Sequence, residues 1–280
     1  MEFAAIIPAR YASTRFPAKP LAILGGKPVV VRVCEQASKV FDHVFVATDD
    51  ARIFDKVKEY GFTPIMTRSD HKSGTDRCYE AFCKCGVKAD VVVNIQGDEP
   101  FIQPSQLKTI KGLFDSPETD IATLVKPFAP DTPFEKVANP NSPKVVVDDN
   151  RNALYFSRSV IPYLRGIPQE EWPARHTYFK HIGLYAFKSD VLKAVTELPQ
   201  APLEKAESLE QLRWLSAGYR IKVGTTEVET IGIDTPDDLA AAERFLKEQS
   251  LSILAILSAL LSLVKYVSSN MRQRDMVSMS

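Results

Sequence analysis

Three cationic residues, Arg10, Arg15 and Lys19, lie within ten residues near the start of the chain, with no acidic residue among them. Like charges this close repel one another unless they are solvated or bind a polyanion, and a nucleotide triphosphate is such a polyanion. Ser13, Thr14 and two prolines in this stretch favour a loop of defined shape. A solvated basic loop is the alternative. The stretch lacks the glycines of the Walker A loop and of the dinucleotide fingerprint.

Two aspartates that follow apolar runs are candidate partners for these cations. Asp98 follows a long run and Asp234 a short one, and the carboxyl ends of strands in an open α/β sheet form its ligand-binding edge. Asp98 is either an ion-pair partner of the cationic loop or a ligand of a divalent metal that bridges phosphates; we favour the metal. Asp237 and Asp238 are explained instead by the first turn of a helix capped by Thr235.

A polar stretch, residues 67–77, lacks apolar periodicity. Ser73-Gly74-Thr75 within it reads as a loop that opens a helix, where free backbone N–H groups can bind a phosphate or the edge of a base. An ordinary helix start capped by Thr75 is the alternative. Arg77 lies just inside this helix and is a further candidate ligand.

Apolar runs and periodic segments alternate along the chain, which predicts an α/β fold. The first strand, Phe3–Ile7, is expected to end at Pro8, because proline cannot donate a ladder hydrogen bond. Further strands are predicted at 43–48, 62–66, 91–95, 120–126, 178–187 and 219–223, and helices at 28–40, 52–60, 104–114 and 203–217.

The middle of the chain has a different texture, because prolines interrupt residues 127–143 and a second polar, proline-bearing loop covers 162–176. Residues 144–148 and 153–157 between them predict a β-hairpin. Mixed strands that break a β-α rhythm suggest a lobe on the main sheet at about 127–190, which we expect to serve self-association.

Composition limits the function classes. Lysine plus arginine and aspartate plus glutamate number 35 each, so no bulk charge points to nucleic acid or to an anionic membrane. The four cysteines have no paired C-x-x-C spacing, which argues against a zinc site and against a disulfide framework. The chain starts directly with a strand and carries no leader pattern, so we expect a cytoplasmic protein.

Several motifs then occur together in a fixed order. They are the cationic loop, Gln96-Gly97-Asp98-Glu99-Pro100, Gly232-Ile233-Asp234-Thr235-Pro236, Thr67-Arg68-Ser69-Asp70-His71, Ser73-Gly74-Thr75-Asp76-Arg77, Tyr155-Phe156-Ser157-Arg158, His181-Ile182-Gly183-Leu184-Tyr185 and Leu209-Glu210-Gln211-Leu212-Arg213. Each motif alone is weak, but the ordered set is specific. Over residues 2 to 248 the chain resembles the CMP-Kdo synthetases, the 3-deoxy-manno-octulosonate (Kdo) cytidylyltransferases.

The resemblance implies a Rossmann-like open mixed sheet of the nucleotidyltransferase (GT-A-like) type, with an inserted dimerisation lobe, in a domain over 1–250. It also implies transfer of CMP from CTP to the anomeric hydroxyl of Kdo for lipopolysaccharide synthesis, with Mg²⁺ as cofactor, in a homodimer.

The same resemblance implies roles for individual residues. Arg10, Arg15 and Lys19 would hold the triphosphate; Asp98 and Asp234 would hold Mg²⁺ and, with Arg10 and Lys19, form the catalytic set; Ala9, Ser73, Arg77 and Gln96 would surround the nucleotide; and Arg158, His181, Tyr185, Glu210 and Gln211 would face the sugar.

The residue types agree with an acidic sugar. A guanidinium such as that of Arg158 matches a carboxylate. His181 and Tyr185 are four apart in a predicted strand, so both project to one face, although a core-facing pair with satisfied polar ends is the alternative. Ala18 stands where the family commonly has glycine, and we expect it to keep a negative φ on a slightly different backbone path. Pro143 puts the edge pairing of the next strand in doubt.

The C-terminal extension, 251–280, has an apolar stretch at 251–264 followed by basic residues. It is too short to span a bilayer comfortably, so packing on the body or pairing with a second subunit is slightly favoured over peripheral attachment to the inner membrane. Rival functions are a cytidylyltransferase for another acidic sugar, above all sialic acid, or for a sugar phosphate, and a nucleotide-binding regulator that has lost catalysis.

Overall fold

The computed structural model describes residues 1–12, 15–228 and 232–248. Within them the strands are β1 Phe3–Ala9, β2 Ile23–Leu24, β3 Lys27–Pro28, β4 His43–Thr48, β5 Thr63–Met66, β6 Val91–Asn94, β7 Ile121–Pro127, β8 Lys144–Val147, β9 Ala153–Ser157, β10 Phe179–Lys188 and β11 Ile221–Thr225. The helices are α1 Val29–Ala37, α2 Ala51–Glu59, α3 Gly74–Lys84, α4 Pro104–Gly112, α5 Phe134–Val137, α6 Trp172–Arg175, α7 Ser189–Thr196, α8 Pro202–Glu207 and α9 Gln211–Ser216. A further helix covers 236–248.

The main sheet is open and mixed, with strand order β11-β7-β10-β6-β1-β4-β5. β1 runs parallel to β4 and to β6, and β4 runs parallel to β5. β10 is antiparallel to both β6 and β7, and this strand makes the sheet mixed. The predicted α/β class is therefore confirmed, and β1 lies at the centre of the parallel half.

Alternate residues of β1 explain why the sheet is covered on both faces. Ala5 and Ile7 pack in a cluster with α1, α2 and α4. Ala4 and Ile6 point the other way, into a cluster with α3, α7 and α9. All four side chains are fully buried, and such burial supplies the largest favourable term in folding.

The prediction that Pro8 ends the first strand is wrong, because β1 continues to Ala9 and Pro8 pairs with Ala47 of β4. The backbone of Ile6 faces β6, since its carbonyl accepts from Ile95 N at 3.0 Å. Pro8 is two residues after Ile6, so its backbone also faces β6, but the paired part of β6 ends opposite Ile6. Its missing N–H therefore removes no ladder hydrogen bond.

The helix predicted over 203–217 is two helices, α8 and α9, separated by Ser208 in the left-handed region at φ 51°. The break leaves the carbonyls of Glu207 and Ser208 free to accept from Arg158, at 2.6 and 3.3 Å. A tertiary contact thus overrides the helical periodicity of the segment.

The predicted hairpin is present as β8 and β9, and β8 also pairs with β10. The doubt about Pro143 is resolved, because its carbonyl accepts from His181 N at 2.9 Å and β8 pairs with β10 from Lys144 onward, so the proline removes one ladder bond without abolishing the pairing. The surrounding lobe has an apolar cluster of its own around Val137, Trp172 and Tyr178. Its role in dimerisation stays a prediction.

The helix over 236–248 packs beside the β2–β3 hairpin through a cluster that includes Leu24, Phe101 and Ile233. The predicted C-terminal extension, 251–280, lies outside the described residues. Among the residues that are described, no helix combines the length and the apolar character that crossing a bilayer requires.

Candidate active site

A polar pocket of about 310 Å³ opens at the carboxyl ends of β1 and β6. Its lining contains all nine residues predicted for the triphosphate, the metal and the nucleotide: Ala9, Arg10, Arg15, Lys19, Ser73, Arg77, Gln96, Asp98 and Asp234. Open α/β sheets bind ligands at the carboxyl ends of their strands, which we call the strand-end rule. The rule explains the position of the pocket, because β1 leads into the cationic loop and β6 into the Gln96–Pro100 motif.

The ammonium group of Lys19 joins the two aspartates. Its Nζ lies 2.5 Å from Asp98 Oδ2 and 3.1 Å from Asp234 Oδ1, and the lysine side chain is only 14% exposed. Arg15 Nη2 lies 3.2 Å from Asp234 Oδ2 but is 67% exposed. Cations and carboxylates that are remote in sequence therefore meet in one pocket.

A backbone hydrogen bond at the residue before Asp234 holds the loop of Asp234 beside that of Asp98. Ile233 N donates to Asp98 O at 2.9 Å, which ties the two acidic loops together. Behind the loop, Thr235 and Asp238 form the predicted capping box: Asp238 N donates to Thr235 Oγ1 at 3.2 Å, and Thr235 N to Asp238 Oδ2 at 2.8 Å. Asp234 precedes the cap, so its carboxylate remains available to the pocket.

The end of the cationic loop differs from the expectation for Ala18, whose φ is +59°. The residue keeps the left-handed conformation that glycine would adopt, at a steric cost of about 1 to 2 kcal/mol. Ala18 N donates to Tyr11 O at 3.0 Å and closes the loop, so the chain path that delivers Lys19 requires this conformation. Gly97 is constrained by space instead, because a Cβ on this residue would lie 2.6 Å from Pro8 O.

The amino end of α3 forms another wall. Ser73, not Thr75, caps this helix: Asp76 N donates to Ser73 Oγ at 3.1 Å, and Ser73 N donates to Asp76 Oδ2 at 3.2 Å. The alternative of an ordinary helix start capped by Thr75 is therefore wrong, because the cap lies two residues earlier. Ser73 and Gly74 line the pocket, where the helix N-terminus favours negative charge.

Arg77 is nearly buried and already has an acidic partner. Its Nη2 lies 2.9 Å from Asp49 Oδ2, and its Nη1 donates to Thr67 Oγ1 at 2.6 Å. The guanidinium therefore joins α3 to the end of β4 as well as lining the pocket.

His71 and Lys72 also line the pocket, and the sequence predicted no role for either of them. The signal that could have indicated His71 is its place at the end of the motif Thr67-Arg68-Ser69-Asp70-His71. His71 Nε2 contacts the Glu80 carboxylate of α3. Burial alone would raise the pKa of Glu80, but hydrogen bonds from Lys84, the Arg68 backbone and His71 lower this pKa to about 2. An ionised Glu80 thus holds the 68–72 loop against the helix.

The residues predicted to face the sugar do not line this pocket. His181 and Tyr185 share one face of β10 as predicted, with ring centroids 5.3 Å apart, although the strand is bulged between Ile182 and Tyr185. Burial lowers the pKa of His181 to about 3, so its imidazole is neutral, and its Nε2 lies 3.1 Å from Thr123 Oγ1. Among described residues, Tyr185 Oη and Gln211 Nε2 are buried without a hydrogen-bond partner.

The guanidinium of Arg158 donates to a third backbone carbonyl besides those of Glu207 and Ser208. Its Nη1 donates to Pro140 O at 2.8 Å, while Lys144 Nζ donates to the carbonyl of Arg158 at 2.6 Å. Recognition of a carboxylate by this guanidinium stays a prediction, and it would require some of these bonds to be exchanged.

Cations beside paired carboxylates at a strand edge suit a metal-bound polyphosphate, and an open mixed α/β sheet presents them as nucleotidyltransferases do. Fold and pocket together define an enzyme of the nucleotide-transferring class.

Comparisons with known proteins agree. Residues 4–222 match the family model described as Cytidylyltransferase. The 3-deoxy-manno-octulosonate cytidylyltransferase of Phocaeicola vulgatus is 66% identical over 249 residues, covering 89% of this chain and 99% of that protein. Its counterpart in Bacteroides thetaiotaomicron is 64% identical over 250 residues, covering 89% and 100%. A solved structure of CMP:2-keto-3-deoxy-manno-octonic acid synthetase complexed with CTP is 41% identical, with a TM-score of 0.81, covering 89% and 100%. The chain belongs to the 3-deoxy-manno-octulosonate cytidylyltransferase family.

Proposed function

We propose that this protein transfers CMP from CTP to the anomeric hydroxyl of Kdo and releases pyrophosphate. The observation that carries the proposal is the meeting of Lys19, Asp98 and Asp234 in the polar pocket of a chain that belongs to this family. The anomeric oxygen forms a bond to the α-phosphorus, and the bond from that phosphorus to the bridging oxygen breaks. The electron pair leaves with pyrophosphate, and the hydroxyl proton is released.

The residues of the pocket serve this transfer by position and charge. Arg10, Arg15 and Lys19 bind the triphosphate and neutralise the charge that develops on the leaving pyrophosphate. Ala9, Ser73, Arg77 and Gln96 surround the rest of the nucleotide. The transfer needs no covalent intermediate on the protein, because positioning and electrostatic stabilisation supply most of the catalysis of phosphoryl transfer.

The two aspartates fit a Mg²⁺ ion. Mg²⁺ takes oxygen ligands and is commonly held by one or two carboxylates together with substrate phosphates. Asp98 and Asp234 are 30% and 48% exposed and lie on one ammonium group, so their oxygens lie close together and face the pocket. The described residues contain no group of three or more potential metal-ligating side chains, which agrees with a site that the substrate completes. When bound, Mg²⁺ supplies charge neutralisation between the phosphates.

The sugar would lie on the side of β10 and α9. Within the described part of the chain, Tyr185 Oη and Gln211 Nε2 are buried polar atoms without a hydrogen-bond partner, and Glu210 and His181 lie beside them. Arg158 would contribute a guanidinium for the sugar carboxylate.

We also infer that two copies of the chain associate through the lobe at about 127–190. Leu154 and Tyr163 in this lobe expose 60% and 72% of their surface, which supports a contact with a second copy. Light scattering of the purified protein tests the inference: a mass of about one chain would contradict it.

Pyrophosphate release from CTP and Mg²⁺ tests the function, with Kdo, with sialic acid and without sugar. We expect release only with Kdo. Release with sialic acid but not with Kdo would move the substrate to another acidic sugar, and no release with any sugar would contradict the enzymatic proposal.

A further inference from the structure

Thr75 has a role that neither the helix cap nor the nucleotide pocket explains. The residue is 3% exposed and sits in the first turn of α3, directly after Ser73 and Gly74 of the pocket wall. Ser73 and Asp76 already satisfy the helix end. The Thr75 hydroxyl instead donates to Glu210 Oε2 at 2.8 Å, across 135 residues of sequence.

Glu210 precedes α9 and accepts hydrogen bonds from side chains on different elements. Thr75 donates to one carboxylate oxygen, and Arg213 Nη2 donates to the other at 2.8 Å. Arg213 is itself tied to Glu204, with Nε 3.2 Å from Oε2. Burial raises the pKa of Glu210, whereas these donors favour its charged form. The hydroxyl of Thr75 thus links this carboxylate to the nucleotide side, where the Ser73 side chain also favours the charged form.

The contact joins the two halves of the site. On one side are the pocket residues Ser73 and Gly74, and on the other is Gln211, whose buried amide nitrogen has no partner among described residues. Glu210 and Gln211 follow the break at Ser208, so intrahelical hydrogen bonds from α8 do not fix their position. Their place relative to the nucleotide depends on side-chain contacts, and the hydrogen bond from Thr75 to Glu210 is one that starts from α3.

We propose that Thr75 is a positioning residue that holds Glu210 and the start of α9 in register with the nucleotide pocket, an inference that rests on the proposed function. Removing a hydrogen bond to a buried charged group leaves that group short of a donor. Thr75→Val keeps the shape of the side chain and removes the hydroxyl. Thr75→Ser keeps the hydroxyl and is the matched control.

Steady-state kinetics should separate the two substrates. For Thr75→Val we expect kcat/KM for Kdo to fall by about 10- to 100-fold, from the weight of hydrogen bonds to charged groups. The KM for CTP should stay within about twofold of wild type, because Ser73 still caps α3. Thr75→Ser should restore kcat/KM for Kdo to within a few-fold of wild type, since the donor is retained.

Hydrogen–deuterium exchange gives a readout that does not need activity. Amides of Gln211–Ser216 should exchange faster in Thr75→Val than in Thr75→Ser, while those of α1 stay unchanged. If Thr75→Val does not fold, Thr75→Ala provides the same comparison with a smaller side chain.

The proposal is overturned if Thr75→Val keeps the wild-type kcat/KM for Kdo, or if Thr75→Val and Thr75→Ser change the kinetic constants for Kdo and for CTP to the same extent. It is also overturned if the amides of α9 exchange at the same rate in Thr75→Val and Thr75→Ser. Failure of the wild-type protein to release pyrophosphate with Kdo would instead contradict the proposed function, and the exchange comparison would still decide the role of Thr75.

Discussion

Lys19 sets the electrostatics of the pocket, because its nearly buried ammonium contacts both Asp98 and Asp234. Arg15 adds a second, exposed cation on the Asp234 side. Three carboxylate oxygens, Asp98 Oδ2 and both of Asp234, thus contact positive charge, and the arrangement suits ligands in which metal and phosphate alternate.

Asparagine in place of either aspartate tests this at the scale of a residue. Asp98→Asn and Asp234→Asn keep the side-chain shape but remove the charge that a metal requires. We expect each to lower kcat/KM by about 100-fold or more, as loss of a charge-stabilising group at a reacting phosphate does. Pyrophosphate release over a range of Mg²⁺ concentrations measures the effect. Asp237→Asn, on the exposed first turn of the following helix, is the control, and wild-type activity in Asp98→Asn would contradict the assignment.

Arg77 makes a separate contribution to stability. Arg77→Met leaves the largely buried carboxylate of Asp49 without its partner, which should lower the free energy of unfolding by about 3 kcal/mol. The control is Arg68→Met, because the Arg68–Asp70 pair is 70% and 65% exposed and should contribute less than about 1 kcal/mol. Urea unfolding compares the two; equal losses would show that burial of the Arg77 pair does not matter.

At the scale of elements, sequence patterns predicted what depends on local burial. Val91–Val93 form a strand because they are buried on both faces, and the pattern of α2 places Ile53 and Val57 toward the core. The break at Ser208 was not predictable, because the carbonyls that it frees bind Arg158, about 50 residues away in sequence. The extension of β1 through Pro8 likewise depends on where its neighbour β6 ends.

Ala18 offers a test of backbone strain at the end of the cationic loop. Ala18→Gly should stabilise the protein by about 0.5 to 1 kcal/mol, because relief of the left-handed strain exceeds the entropy cost of glycine. Ala206→Gly, at an exposed position of α8, should instead destabilise it by a similar amount. Thermal unfolding gives both values; a lower Tm for Ala18→Gly would mean that the loop does not hold this conformation.

His181 on β10 makes stability depend on pH. The ordinary histidine pKa of 6.5 is lowered to about 3 in the folded state, because burial disfavours the charged ring. Below pH 6.5 the unfolded chain therefore binds a proton that the folded chain does not, and stability falls as the pH decreases. Between pH 6.5 and 5, His181→Asn should lose about 1 to 2 kcal/mol less stability than wild type. Urea unfolding at both pH values checks this, and parallel losses would contradict it.

At the scale of the whole molecule, the strand-end rule predicted that Asp98 and the cationic loop lie at one edge. The rule could not give the strand order, in which β10 separates β6 from β7 and makes the sheet mixed. The contact between Lys19 and Asp234 spans 215 residues, and it depends on how the helix over 236–248 packs beside the β2–β3 hairpin. The family resemblance predicted that Asp234 and Lys19 meet in one pocket. The residues alone predicted only that Asp98 and Asp234 each follow a strand. The link from Thr75 to Glu210 was missed because Thr75 matched a helix-cap pattern.

The C-terminal extension, 251–280, should be dispensable for catalysis. The relatives from Phocaeicola vulgatus and Bacteroides thetaiotaomicron are matched over 99% and 100% of their length by 89% of this chain. A chain shortened to residues 1–250 should therefore keep its kcat/KM to within about twofold, because the pocket is built before that point. A larger loss would show that the extension supports the active site. Sedimentation with lipid vesicles, compared between the two forms, tests the alternative of peripheral membrane attachment, and equal sedimentation of both forms would contradict that alternative.

Anomalous diffraction from a crystal soaked with CTP and Mn²⁺, in place of Mg²⁺, tests the central claim most directly. The account predicts a manganese peak bound by both Asp98 and Asp234, with the triphosphate contacting Lys19. A metal and triphosphate bound away from these two aspartates would contradict it.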